Sequence, residues 1–206
     1  MIDAEVKDVT RIGIIIGSTR PDRVGGRVGA WVEDQVRRAG AGEVDLIDLA
    51  EVALPFLDEP EPAASGVYLH EHTRAWARRI EALDAVVLVT AEYNGSFPAP
   101  LKNALDFLGA EWADLPTAIV AYGNTSSGAR AATALLPVLM GLAMLPVGSL
   151  LIGLRSRLTD TGVEFSERDE QSLASLVRRL VWLASAMGAG NVSTPPAAGG
   201  LLQKVV

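Results

Sequence analysis

Short aliphatic runs alternate along this chain with longer stretches in which apolar residues recur every three or four positions. Ile12-Gly-Ile-Ile-Ile16 lacks any polar alternation, the pattern of a strand buried on both faces. Val28, Trp31, Val32 and Val36 then follow helical spacing, and Gly40 is placed to stop that helix. Val44 to Leu49 alternates like a second strand, residues 51–66 form a Pro- and acid-rich loop, and His70 to Leu83 reads as helix. Ala85 to Thr90 predicts a third strand, with Leu101 to Leu108 inside the following helix. Thr117 to Tyr122 predicts a fourth strand, followed by a helix with Ala132, Leu135, Leu136, Leu139 and Leu142 on its apolar side. Pro146 to Ile152 is the fifth strand, and Leu173, Leu176, Val177, Leu180 and Ala184 mark a last helix.

Five strands, each followed by a helix, predict an α/β domain: a doubly wound, three-layer fold with a parallel sheet and helices on both faces. No linker or repeat divides the chain, so residues 1–187 form one domain. Residues 188–206 read as a Pro/Gly-rich tail or an arm on a partner subunit. In such sheets ligands bind at the carboxyl ends of the strands, which directs attention to the loops after strands one, three and four.

Bulk properties narrow the classes. Eighteen basic against 25 acidic residues leave a net charge of −7, and no basic arm is present, so nonspecific nucleic-acid binding is disfavoured. The chain has no cysteine, which excludes disulfides, thiolate metal sites and a Cys nucleophile and fits a cytoplasmic location. Its apolar stretches are too short to span a bilayer, so no membrane association is expected. The two histidines, His70 and His72, are two apart on an expected helix start and so should point to different faces, a solvated pair rather than a metal site.

The first loop, Gly17-Ser18-Thr19-Arg20-Pro21-Asp22-Arg23-Val24-Gly25, offers small residues, hydroxyls and arginines at a helix start, where free N–H groups and the helix dipole favour a phosphate. It lacks the Gly-Lys-Ser/Thr of a P-loop and the G-x-G-x-x-G of a dinucleotide fold, so a mononucleotide phosphate fits better. In the second loop, Glu92-Tyr-Asn-Gly-Ser96, Asn94-Gly95 is a hairpin signal. Yet Leu101, Ala104, Leu105 and Leu108 follow helical spacing behind Pro98 and Pro100, which argues for a tight turn, then a helix, and for Tyr93 and backbone N–H groups exposed to a flat ring. The third loop, Gly123-Asn-Thr-Ser-Ser-Gly128, is either an ordinary helix cap by Ser126 or Ser127 or a second wall of the same crevice. Neither Tyr93 nor Tyr122 has a Lys four residues on, and Trp31, Trp76, Trp112 and Trp182 fit core or interface better than a ligand stack. Asn191-Val-Ser193 is a glycosylation pattern only in a secreted chain.

Gly17-Ser-Thr-Arg20, Glu92-Tyr-Asn-Gly-Ser96, Leu101-Lys-Asn-Ala-Leu-Asp106 and Ser126-Ser-Gly-Ala-Arg130, in this order and spacing, resemble the NADPH-dependent FMN reductase family of flavin, quinone and azo reductases. The resemblance runs from roughly Arg11 to Ile152. It implies a flavodoxin-like fold with strand order 2-1-3-4-5, bound FMN, NADPH as hydride donor and a homodimer or homotetramer contacting through the Lys102/Asp106 helix. It further implies that Gly17, Ser18, Thr19, Arg20, Arg23, Val24 and Gly25 hold the FMN phosphate, that Glu92, Tyr93, Asn94 and Gly95 lie against the isoalloxazine, and that Gly123, Ser126 and Ser127 flank it. Ala91 stands where the family usually has Pro, and Ala129 where it has a second Gly. No side chain is expected as a general base or metal ligand, because hydride transfer is the cofactors' chemistry. The expected activity is ping-pong electron transfer from NADPH through FMN to a free flavin, a quinone, an azo compound or another small acceptor. The competing readings are a flavodoxin-like electron carrier, a flavin-supplying component for a partner monooxygenase, and a flavin-free structural relative.

Overall fold

The computed structural model describes residues 10–159 and 162–188. Its order is β1 (Arg11–Ile16), α1 (Gly25–Arg38), β2 (Glu43–Asp48), α2 (Leu49–Val52), α3 (Glu71–Glu81), β3 (Ala85–Ala91) and α4 (Ala99–Asp106). It continues with β4 (Pro116–Gly123), α5 (Ala129–Gly141), β5 (Leu145–Gly153), a two-residue-per-strand hairpin of β6 (Leu158–Thr159) and β7 (Gly162–Val163), and α6 (Glu167–Gly188). The five long strands form one parallel sheet in the order β2-β1-β3-β4-β5, the doubly wound flavodoxin-like arrangement.

Both faces of the central strands are buried, which explains why β1, β3 and β4 are apolar at nearly every position. On one face Ile12, Ile14, Val87, Val89 and Val120 pack with Val28, Val32 and Val36 of α1 and Leu173, Val177 and Leu180 of α6. On the other, Ile15, Val86, Leu88 and Ile119 meet Trp76 and Ile80 of α3, Leu101 and Leu105 of α4, and Leu135 and Leu139 of α5. Each such aliphatic side chain contributes about 1.5–3 kcal/mol by leaving water. Trp76 and Trp112 pack edge-to-face at 6.1 Å and donate their indole N–H groups to the Ala104 and Leu105 carbonyls at 2.9 and 3.0 Å. They satisfy carbonyls at the end of α4 and fix its position below the sheet edge.

Several local expectations change. Residues 51–66 are not wholly loop. Asp48 accepts a hydrogen bond from the Ala50 N–H at 2.9 Å and caps the short α2, and Ala63–Ser65 form a 3₁₀ turn. Leu136 is exposed, and Ala131 takes its place among the buried residues of α5. β5 is an edge strand that α5 covers only in part, so Leu151 is exposed as well. The histidines do not point apart: His70 and His72 stack with ring centroids 5.2 Å apart. His70 sits at the N-cap of α3 with extended backbone, so helical phase does not govern it, and His72 Nε2 meets Asp58 Oδ1 at 2.9 Å. Among the described residues no cluster could hold a metal ion, and no helix is long and apolar enough to cross a membrane. The glycosylation pattern at Asn191 and the tail from residue 189 lie outside the described residues.

The other edge strand, β2, is tied to α3 by Arg79, whose Nε and Nη2 donate to Asp45 at 3.1 and 2.7 Å. The hydrogen bond from Arg79 holds the Asp45 carboxyl below its ordinary 3.8, against a smaller upward push from desolvation. A depressed carboxyl stabilises the fold above its unfolded value and loses that contribution as pH falls through the folded one. Asp45→Asn is therefore expected to cost about 1 kcal/mol at pH 7, since solvent around the partly exposed Arg79 screens the pair. Urea unfolding should show this difference shrinking at pH values below 3.8; a pH-independent difference would refute the ion-pair account.

Candidate functional site

The carboxyl ends of β1, β3 and β4 lie side by side, since Ile16 pairs with Val89 and Ala91 with Tyr122. The three loops that follow them therefore share one edge of the sheet. The first leaves β1 through Gly17, whose N–H donates to the Val89 carbonyl at 2.9 Å, and enters α1 at Gly25. Val24 occupies the N-cap of α1 and has no side chain able to cap, and the first turn contains no acidic residue. Among the described residues, no acceptor meets the N–H groups of Ser18, Thr19, Arg20, Asp22, Arg23 or Val24. An uncapped N-terminus of a 14-residue helix surrounded by free N–H groups is a place for an anion.

The second loop combines both readings of its sequence. Asn94 and Gly95 have φ of 50° and 83°, and Tyr93 and Ser96 exchange two backbone hydrogen bonds of 2.8 and 3.0 Å, a two-residue hairpin turn that stops after one bridge. α4 then starts behind Pro98, with Pro100 in its first turn, where a missing N–H costs nothing. The turn leaves the N–H groups of Asn94 and Gly95 without acceptors among the described residues, and the Tyr93 hydroxyl meets Ser18 Oγ at 2.5 Å.

The third loop is shaped by Gly128, which has φ of 88° and precedes α5. A Cβ there would lie 2.5 Å from the Ala121 carbonyl carbon and the Tyr122 nitrogen, so no other residue fits against β4. Glu92 joins this loop to the second: its carboxylate accepts from the Ser126 hydroxyl and from the Arg130 N–H at 3.2 Å, with the Arg130 guanidinium 4.0 Å away. Its carboxylate is thus engaged as a brace between loops rather than open to a ligand.

A cleft of about 270 Å³ lies between the loops, lined by Arg20, Arg23, Val24, Glu92, Tyr93 and Gly123, and also by Ala91, Tyr122, Asn124, Leu154 and Leu158. Arg23 is ion-paired with Asp48 from the end of β2, whereas Arg20 is exposed and has no ion-pair partner among the described residues. Thr19 lines a neighbouring, mostly apolar cavity of about 470 Å³ between α2 and α4. Gly95 borders an open hollow beside Arg130. Ser126 is held by Glu92, Ser127 lies against Gly153, and Asn94 is exposed at the turn. Gly17 and Gly25 are buried and shape the loop from below.

Sequence reasoning missed Tyr122, Asp48, Leu154 and Leu158. Tyr122 could have been found, because a Tyr at the carboxyl end of a central strand must carry its hydroxyl to the site edge. Asp48 and the two leucines carry no local signal, since their approach depends on strand order and on the path after β5. Burial pushes the Tyr122 phenol far above its ordinary 10, aided by the neighbouring Tyr93. Its oxygen and Arg23 Nε are both buried without a well-formed hydrogen bond among the described residues. Two orphaned polar atoms beside an uncapped helix start fit the phosphomonoester end of a mononucleotide.

Residues 10–156 match the family model described as NADPH-dependent FMN reductase. The chain belongs to the NADPH-dependent FMN reductase family. Its FMN and NADPH are the cofactors of that family description. The chain is similar to an NAD(P)H-dependent FMN reductase of Schizosaccharomyces pombe, 39% identical over 125 residues, which cover 60% of this chain and 62% of that protein. It is also similar to one from Saccharomyces cerevisiae, 34% identical, covering 69% of this chain and 80% of the relative. A solved flavoenzyme, the NAD(P)H:(acceptor) oxidoreductase FerB of Paracoccus denitrificans, shares the fold with a TM-score of 0.64 at 21% identity, covering 85% of this chain and 97% of that one.

Glu92→Ala removes the tie between the second and third loops while leaving the strands intact. It is expected to cost about 1–2 kcal/mol and to speed amide exchange in residues 124–130. Unchanged exchange there would show that the carboxylate is not what holds the loops together.

Proposed function

We propose that this protein is an FMN-dependent NAD(P)H oxidoreductase that passes electrons to a small acceptor such as free flavin, a quinone or an azo compound by ping-pong kinetics. The observation that carries the reading is the uncapped start of α1, where N–H groups without an acceptor among the described residues and the exposed Arg20 border one cleft, with Ser18 buried behind them and bonded to the Tyr93 hydroxyl. Bound FMN would supply the redox chemistry, accepting electrons from the nicotinamide and returning them to the acceptor.

The residues then divide by task. The first loop, with Ser18, Arg20 and the N–H groups to Gly25, holds the phosphate, and Arg23 is kept in place by Asp48. The turn at Asn94-Gly95 offers two N–H donors to a polar ring edge, which favours a ring that gains negative charge. Gly123 and the Gly128 loop leave room beside β4, and Glu92 keeps the two walls at a fixed separation. No side chain in the cleft needs to act as a base.

We place the protein in the cytoplasm, a reading supported by the absence of cysteine. We also propose that it works as a homodimer or homotetramer with the α4 face at the contact. Supporting this, Lys102 and Asp106 form an exposed ion pair on α4, and Asn103 holds the neighbouring loop with Phe56 84% exposed.

The visible spectrum of the purified protein, with FMN added if needed, is expected to show a flavin band that bleaches under anaerobic NADPH and returns on adding a quinone. A band that persists with NADPH and NADH would support an electron carrier instead. Failure to bind FMN at all would overturn the reading.

A further inference from the structure

Tyr122 is the last residue but one of β4, between Ala91 on β3 and Ile152 on β5, and its side chain packs on the α1 side of the sheet. It is 4% exposed, and its hydroxyl, beside a Ser18 hydroxyl already bonded to Tyr93, makes no well-formed hydrogen bond among the described residues. Buried tyrosines normally pair their hydroxyls, because an unmade bond in the interior leaves a desolvated polar group uncompensated. Where this oxygen sits is informative. A Cβ placed on Gly25 would lie 2.8 Å from it and 3.7 Å from Ser18 Cβ, so the phenol ends directly against the first turn of α1, beside Ser18. That is the turn with no cap and no acidic residue. The same cleft wall carries Arg20 and Arg23, and the Arg23 Nε is a second buried donor without an acceptor.

Resting on the reading above, we propose that the Tyr122 hydroxyl is a phosphate-binding donor, and that it makes the site prefer a phosphorylated flavin over the unphosphorylated one. The groups around it are backbone N–H groups, two guanidinium groups, of which Arg23 is paired with Asp48, and the Ser18 hydroxyl, which is bonded to Tyr93; the Glu92 carboxylate on the same cleft is taken by Ser126 and Arg130. A phosphomonoester dianion brings charge and several acceptor oxygens to these donors at once, where a ribityl hydroxyl brings one neutral oxygen. Burial keeps the phenol protonated at neutral pH, so it donates and does not repel the anion. Gly25 belongs to the same device, since only a residue without Cβ leaves the phenol oxygen its place under the helix.

The test is to titrate the full-length protein, freed of flavin, with FMN and separately with riboflavin, following flavin fluorescence for wild type and Tyr122→Phe. A hydrogen bond to a charged group predicts a loss of about tenfold or more in FMN affinity, with riboflavin affinity changed by less than about twofold. Thermal unfolding of flavin-free Tyr122→Phe should be no lower than wild type, because the substitution removes an unpaired hydroxyl and leaves the ring packing. Equal weakening of both flavins, or no change in either, overturns the proposal while leaving the oxidoreductase reading intact. Should wild type bind neither flavin, the functional reading falls and this inference with it. If Tyr122→Phe does not fold, Gly25→Ala applies the same test from the helix side, and it too must weaken FMN selectively.

Discussion

Everything at the working edge of this protein depends on the parallel pairing of β1, β3 and β4 with both faces buried. Parallel strands cannot be joined by tight turns, so each must hand over to a helix that returns across the sheet. All three chain reversals that matter then occur at the same end. The register that sets Ile16 beside Val89 and Ala91 beside Tyr122 brings residues more than a hundred positions apart in sequence to neighbouring loops. The apolar runs of these strands supply the driving force, and the helices that cover them supply the polar termini.

That arrangement leaves the loops with unmet backbone groups, and the protein meets them unevenly. Some are satisfied internally: the Tyr93–Ser96 pair closes the second loop, and Glu92 takes the Ser126 hydroxyl and the Arg130 N–H of the third. The first loop is different. Among the described residues its N–H groups, the Tyr122 hydroxyl and Arg23 Nε meet no acceptor. The last two are buried, so at this helix start they depart locally from the rule that buried polar groups are paired, whereas the unmet N–H groups of Asn94 and Gly95 lie at the surface turn. Such departures belong at ligand sites.

Much of this was legible in the residues. The five strands and their helices follow from aliphatic runs alternating with helical spacing, and the strand order from the motifs that resemble a known family. At Asn94-Gly95 the reading of a tight turn followed by a helix matches the structure, and the hairpin signal it sets aside survives only as one bridge between Tyr93 and Ser96. The errors have separate causes. Helical spacing includes His70, but it is the extended residue just before α3. Helical spacing puts Leu136 on the apolar side of α5, but β5 lies at the sheet edge and offers that side chain only partial cover.

The sequence alone determined the fold class and the approximate elements, and it singled out the three loops that the sheet then brings to one edge, because hydrophobic period, glycine and proline act locally on the backbone. The tertiary structure decided which side chains within those loops are committed and which are free. Arg23 is paired because β2 ends beside the first loop with Asp48 at its tip. Glu92 is a brace because Ser126 lies across from it. Tyr122 lines the cleft beside the first turn of α1 because Gly25, without a Cβ, leaves room for its hydroxyl there. Each of these facts is a distance between residues far apart in the chain, and such distances are set by packing, not by neighbours in sequence.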